Sequence, residues 1–340
     1  MSTFALALAG SALAAYTPRF SVSHTPSNVS SASTTITIQQ TREDDATAKV
    51  TFYVPQGYSG VLGQAAGTKL GTVASSVQAT AISQDAILPI NGDVLVASNA
   101  DATVAAASQQ CTGTTTHSAF WVLALEASGQ RLSVPVFIDT TAGPEAAFAQ
   151  FKLQVCLPPP ATATFGAKLL SAKLTLANVF TTPVSPGQYI WPAFFTPYAT
   201  AAGPINAAGT VQSRAVVRLP GAIRLAGKIT SKKKRTVRLS GSVTENSVGV
   251  IGASVQLLIG TRVVARTTTK APNGSYAVAL KKRGKVTRTI FRARVTVPER
   301  SIGVVGCSIT VTGLPPAPAG CVSATASAFT ATSGGVRIRL

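Results

Sequence analysis

Two histidines and 11 carboxylates among 340 residues leave few groups able to move a proton at neutral pH. His117 stands in a Thr-rich turn. A hydrolytic role for it needs an acid partner, and Asp139 or Glu126 would serve. His24 lies in a polar, Ser-rich stretch, residues 19–33, that reads as an extended lead-in. No G-x-S-x-G nucleophile turn, phosphate-binding loop or dinucleotide fingerprint occurs. A triad scattered through the chain would leave no such motif, so a hydrolase built on His117 stays as a third reading. Glu43-Asp44-Asp45 is the densest acidic spot. Its carboxylates suit calcium, but its spacing is not that of an EF-hand loop, and it reads as a solvated hairpin turn. The chain is therefore expected to carry no catalytic residue, no cofactor and no metal site.

The four cysteines are Cys111, Cys156, Cys307 and Cys321. None forms a C-x-x-C pair, and two histidines are too few to help them hold zinc. They suit two disulfides in an exported protein. Three pairings exist. One pair in each half makes Cys111–Cys156 with Cys307–Cys321 the economical choice, and free buried thiols are the alternative. Residues 1–15 fit an export leader, with an apolar run from Phe4 to Leu13 and the small-x-small site Ala12-Leu13-Ala14. The run is too short to span a bilayer, and no later run approaches the ~18 apolar residues a span needs.

Charge is the other chemical resource. Residues 1–221 hold 10 Lys/Arg against 9 Asp/Glu, whereas residues 222–340 hold 20 against 2, Glu245 and Glu299. Two basic clusters sit where hairpin loops are expected. One is Lys232, Lys233, Lys234 and Arg235, and the other is Lys281, Lys282, Arg283 and Lys285. Arg238, Arg262 with Arg266, and Arg292 with Arg294 alternate along strands, on the side away from each strand's apolar set. Self-repulsion at this density invites an anionic partner. The expected partners are an anionic wall polymer, acidic polysaccharide or lipid head groups. Export argues against nucleic acid. A basic surface that binds nothing in particular is the plainer alternative.

The elements that must position these groups are strands. Val237, Leu239, Gly241 and Val243 alternate with polar residues, as do Ala253, Val255, Leu257 and Ile259, then Tyr276, Val278 and Leu280, then Phe291, Ala293, Val295 and Val297. Period two predicts strands with one buried face. Pro272-Asn273-Gly274 predicts a turn. In the first half, residues 35–38, 50–54, 132–138, 151–157, 172–180 and 210–219 read as strands. Phe120 to Leu125 reads as a central strand covered on both faces. The pattern from 61 to 109 is weak. The aromatic cluster Tyr189, Trp191, Phe194, Phe195 and Tyr198 could be a sugar or peptide platform, but an alanine-rich core needs its bulk. Cys156 falls on the face of its strand opposite the core. Hydrophobic content of 46% suffices for two cores.

Leu239-Ser240-Gly241-Ser242-Val243, Gly252-Ala253-Ser254-Val255, Thr267-Thr268-Thr269 and Asn273-Gly274-Ser275-Tyr276 follow one another in an order that resembles the carboxypeptidase regulatory-like domain, a relative of transthyretin-like and Cna-B-type sandwiches. The resemblance covers residues 236–297. It implies a non-catalytic β-module appended to a secreted or surface protein. The family's acidic residue before the turn is replaced here by Lys270-Ala271-Pro272, so no cation site is carried over.

The expected architecture is all-β, with two β-sandwich domains in tandem, residues 16–221 and 222–340, after the leader. The expected function is a structural or adhesive role at the cell surface or outside it. The alternative is a binding module for an anionic envelope polymer or polysaccharide through the basic second half.

Overall fold

The computed structural model describes residues 16–98, 100–281, 288–304 and 323–339. Residues 1–15, where a leader is expected, and Lys282, Arg283, Lys285, Cys307 and Cys321 lie outside them. The fold is all-β, as the alternation predicts. The first half runs β1 (Arg19–His24), β2 (Ser33–Gln39), β3 (Thr47–Pro55), β4 (Ser59–Gly60), β5 (Lys69–Ala79) and β6 (Ile87–Val96). After helix α1 (Ala102–Thr112) come β7 (Ala119–Ala127), β8 (Gln130–Thr140), β9 (Ala149–Cys156), β10 (Ala167–Ala177), β11 (Phe180–Thr181), β12 (Gly187–Pro197) and β13 (Val211–Leu219). The second half runs β14 (Gly221–Ser231), β15 (Thr236–Glu245), β16 (Val248–Gly249), β17 (Ser254–Ile259), β18 (Arg262–Thr268), β19 (Ser275–Lys281) and β20 (Arg288–Val297). It ends with β21 (Arg300–Val304), β22 (Ser323–Ala326), β23 (Phe329–Thr332) and β24 (Val336–Arg339).

One long sheet, in the order β1-β2-β10-β5-β6-β7-β8-β9-β3-β12-β13-β22-β21, folds around a single core. Its two ends meet, since Ser327 Oγ donates to the Val22 carbonyl and Ser21 Oγ to Glu299. Phe20, Ile36, Leu174, Trp121, Phe52, Trp191 and Phe195 reach into this core from strands scattered along the chain. Trp191 and Phe195 of the aromatic cluster thus fill this core and are wholly buried, while Phe194 packs against Tyr53 in a separate cluster and Tyr189 is half-buried. Aromatic bulk compensates for the small residues elsewhere.

A second core lies between the sheet β14-β15-β19, with β16 at its edge, and the sheet β18-β17-β20, where β23 and β24 flank β20. This is a two-layer sandwich. β20 alternates strictly, with Thr289, Phe291, Ala293, Val295 and Val297 inward and Arg288, Ile290, Arg292, Arg294 and Thr296 outward. The Pro272-Asn273-Gly274 turn forms, with Gly274 at φ +66°. A β-carbon there would also approach the Val243 carbonyl oxygen to 2.4 Å, so the position needs glycine twice over.

Several expectations on the first half are corrected. Residues 19–24 are a buried edge strand, not a polar lead-in, because Phe20, Val22 and His24 all face inside. The weakly patterned stretch from 61 to 109 holds two long strands, β5 and β6, and a helix. In the acidic spot, Asp44 is buried and its carboxylate accepts from the Thr17 and Thr41 amides at 2.7 and 2.6 Å, so it caps the turn before β3 instead of facing solvent. The last strands also divide differently from the sequence reading. β22 pairs in parallel with β13 and carries β21 onto the first half's sheet, while β23 and β24 return to the second sandwich.

Candidate functional site

Helix α1 organises the first chemically interesting cluster. Asp101 caps its start, accepting from the Thr103 and Val104 amides, and Gly113 ends it at φ +78°. Val104 and Ser108, four residues apart, face the sheet, and Val104 packs on the cross-strand pair Phe120 and Phe137. The helix covers Phe120 at the start of β7, but Val122 and Ala124 on the same face stay half-buried, so the apolar run is not covered on both faces along its length as the sequence reading expects. Cys111 on the helix is disulfide-bonded to Cys156 on β9, with Cα atoms 5.7 Å apart. Lys49 adds a hydrogen bond from Nζ to the Cys111 carbonyl at 2.9 Å. The bond tethers the helix outside the sheet, where the sequence places Cys156.

Beneath the helix, His117 Nδ1 lies 2.9 Å from both carboxylate oxygens of Asp139, and its Nε2 lies 2.9 Å from Ser108 Oγ. These are the distances of a nucleophile, a base and its orienting acid. The sequence offers Asp139 or Glu126 as the acid for His117, and the structure brings Asp139 to it. Glu126 is at the far end of β7, opposite Arg131. Ser108 is the member that sequence reading missed, for want of any motif around it. Yet Ser108 is 0% exposed, and its hydroxyl donates to the Thr114 carbonyl at 2.5 Å. Thr112 Oγ1 stands 3.0 Å from the same Nε2 and donates to the Ser108 carbonyl at 2.9 Å. The His117 side chain has no exposure and is stacked on Phe137, with Phe120 at its edge. A substrate carbonyl cannot reach Ser108 while α1 is seated. What the cluster does in this conformation is hold α1 down.

His24 is the other buried imidazole. Its Nε2 lies 2.9 Å from the Tyr58 hydroxyl, and Nδ1 faces Thr34 and the Ser33 carbonyl. Burial pushes its pKa down from 6.5 to about 4. Between those values the unfolded chain binds the proton and the folded chain does not, so stability falls as pH falls. Above 6.5 the imidazole adds no pH dependence. The integrated loss between pH 6.5 and 4 is about 3 kcal/mol. Urea unfolding at pH 7, 5.5 and 4 on the native chain and on His24→Gln checks this. The difference between their pH slopes should span that window, and equal slopes would refute it.

Besides Arg224, Lys228 and Arg238 on the outer face of β14-β15, where Lys228 stands opposite Arg238, the basic residues of the second sandwich occupy two regions. Lys232, Lys233 and Lys234 are exposed in the β14–β15 turn, with Arg235 at φ +51° closing it. Lys281 pairs in register with Thr236, so the described end of the second cluster reaches the same end of the sheet. The other region is the outer face of β18-β17-β20-β24. Arg266 and Arg294 flank Gln256 in one cross-strand row, and Arg294 Nη2 donates to Gln256 Oε1 at 2.7 Å. Arg292 stands two residues along from Arg294. Arg337 lies opposite Ile290, and Arg339 directly opposite Arg288. All six arginines are exposed. The sequence pattern marks Arg266, Arg292 and Arg294 as outward-facing. It does not show that Arg288, Arg337 and Arg339 join them, since β24 pairs with β20 from across the 323–339 segment.

Both carboxylates of the second half are engaged elsewhere. Glu245 on β15 is buried and takes a two-pronged ion pair from Arg300 on β21. Glu299 accepts from Ser21 on β1. Among the described residues, none of the six arginines forms an ion pair. No group of three or more His, Cys, Asp or Glu able to hold a metal occurs among them either, and no helix is long and apolar enough to cross a membrane.

No family model matches the chain, so residues 236–297 form part of a β-sandwich whose specific family is not shown. No curated protein matches it. Among solved structures it is similar to the "D0-D1 domain of Intimin", at 11% sequence identity and a TM-score of 0.20. The match covers 92% of this chain and 98% of that one. A likeness of that size carries no argument about function.

Proposed function

We propose that this is a non-catalytic, exported envelope protein whose first half is a structural support and whose basic second half holds an anionic polymer by salt-sensitive attraction. The observation that carries the reading is the segregation of charge. Twenty cationic side chains of residues 222–340 face two carboxylates, and both carboxylates are engaged at the junction with the first half's sheet. Nothing within the second sandwich neutralises its surface, so a multivalent anion gains from every cation it covers. The cysteines and the leader-like start support export, where wall polymers and acidic polysaccharides are the available polyanions. An adhesive role follows from the same surface. The Ser108–His117–Asp139 cluster does not favour a hydrolase, because its hydroxyl is buried and hydrogen-bonded away from the imidazole.

The test uses the whole chain, because β21 and β22 tie the second half to the first half's sheet. Retention on an anionic phosphate resin should fall steeply between 50 and 200 mM salt. Neutralising Lys233, Arg238 and Arg292 to Gln should shift elution to markedly lower salt. Neutralising Arg19, Arg131 and Lys173 of the first half, an equal change in charge, should shift it little. Equal shifts would mean bulk net charge alone, and the reading would fall.

A further inference from the structure

The geometry points to the outer face of the β18-β17-β20-β24 sheet as the docking surface, with an extended phosphodiester polymer laid along β20 as its ligand. This deepens the polymer-binding reading and rests on it. The lysine clusters that the sequence singles out lie at one end of the opposite sheet and serve only as a general positive field.

Four features carry the assignment. First, the face uses arginine alone. Arg266, Arg288, Arg292, Arg294, Arg337 and Arg339 are its cations, and no lysine is among them. The basic turn at 232–235 is three lysines and one arginine. A guanidinium offers two parallel N–H donors that match two oxygens of one anion, whereas an ammonium is a hydrated point charge. Second, the arrangement is costly without a ligand. Arg288 and Arg339 are cross-strand partners, so two like charges stand within about 5.5 Å at their β-carbons. An anion between them turns that repulsion into two contacts. Third, the sites form a track. Arg288, Arg292 and Arg294 lie on the outer side of one strand over six residues, about 20 Å at the usual rise. Arg266 lies to one side of the track, and Arg337 and Arg339 to the other. A strand-length row fits an extended chain with anions at short, regular intervals.

The fourth feature concerns what the face omits. The aromatic side chains of the second half are Tyr276, Phe291 and Phe329, and all three are buried in the core. No ring is available to stack on a sugar or a base, the usual means of holding carbohydrate or single-stranded bases. Recognition must therefore act on the anionic backbone. A tetrahedral phosphodiester presents two free oxygens with acceptor capacity for more than one arginine, which suits guanidiniums set this close. A carboxylate also has two acceptor oxygens, but they lie in one plane with its carbon, whereas the tetrahedral phosphodiester can be approached from several directions at once by guanidiniums on neighbouring strands.

The experiment compares two variants of the full chain against two polymers. One variant replaces Arg266, Arg292 and Arg294 with Lys, which leaves the net charge at +19. The other replaces Lys232, Lys233 and Lys234 with Gln. All six positions are exposed, and matching thermal unfolding curves confirm that each variant folds. The probes are inorganic polyphosphate and polygalacturonate of similar length, titrated at 150 mM salt. The arginine-to-lysine variant should bind polyphosphate about tenfold more weakly although its charge is unchanged. The lysine-turn variant should lose only about two- to threefold. Polygalacturonate should bind more weakly than polyphosphate and respond little to the arginine change. If polyphosphate binds the native chain and the arginine variant equally well, the face is not the site. Equal or tighter binding of polygalacturonate, with the same arginine dependence, would overturn the phosphodiester assignment. Failure of the native chain to bind either polymer would instead remove the underlying polymer-binding reading.

Discussion

Replacing Cys111 and Cys156 with serine is expected to lower the stability of the chain by about 4 kcal/mol. The bond closes a loop with a sequence separation of 45, and the entropy of the open loop in the unfolded ensemble sets that magnitude. Local structure points the same way. α1 touches the sheet through a short face, chiefly Val104, Ala107, Ser108 and Cys111 against Phe120 and Phe137. An 11-residue helix with so little apolar contact is marginal by itself. Without the disulfide its remaining attachments are the His117 cluster and the Lys49 hydrogen bond to the Cys111 carbonyl. Hydrogen exchange of the α1 amides should accelerate before global unfolding, while exchange in β3 and β12 changes only with global stability. Urea unfolding of the double serine variant at pH 7 gives the magnitude. A loss below about 1 kcal/mol, with α1 still protected, would show that the helix is held without the bond.

The same helix shows where the sequence stops being legible. Strands such as β20 announce themselves, because one face enters the core and the other does not, and ten residues of alternation leave no ambiguity. α1 has no such stripe. Its sequence is largely Ala, Ser, Gln and Thr, and only Val104 and Ser108 are buried. Its caps, Asp101 and Gly113, are residue types equally at home in ordinary turns, so they do not announce a helix. β1 was hidden for a different reason. The third inward residue is a histidine whose polarity is answered by Tyr58 and Thr34, strangers in sequence. β22 is beyond any local reading, since its place beside β13 is a parallel pairing over roughly a hundred residues. The His117–Asp139 pairing could be guessed from a shortage of alternatives. Ser108 could not, because a helix and a turn bring it there. The arginine face was half legible. Alternation turns Arg292 and Arg294 outward, but only the pairing of β20 with β24 sets Arg339 against Arg288.

Replacing Arg300 with Met should destabilise the chain by about 3 kcal/mol, because it strands a carboxylate where water cannot reach it. Glu245 is 3% exposed at the end of β15, and both of its oxygens accept from the Arg300 guanidinium. Arg300 itself is partly open to solvent, with a side-chain exposure of 31%, so the estimate sits at the low end for a broken buried pair. The pair also joins two sheets. β15 belongs to the second sandwich, whereas β21 is paired through β22 to β13. Nearby, the Gly221 amide donates to the Ser27 carbonyl and the Asn246 amide to the Pro220 carbonyl. Beside the β22–β13 ladder, the junction among the described residues thus includes a few polar contacts and this charge pair. A double-mutant cycle separates the pair's own contribution from the penalty of leaving one charge alone. Glu245→Gln with Arg300→Met should be milder than Arg300→Met by itself, since no unpaired charge remains. If the double variant is the less stable of the two, Glu245 does not depend on Arg300, and the junction is held by something other than this pair.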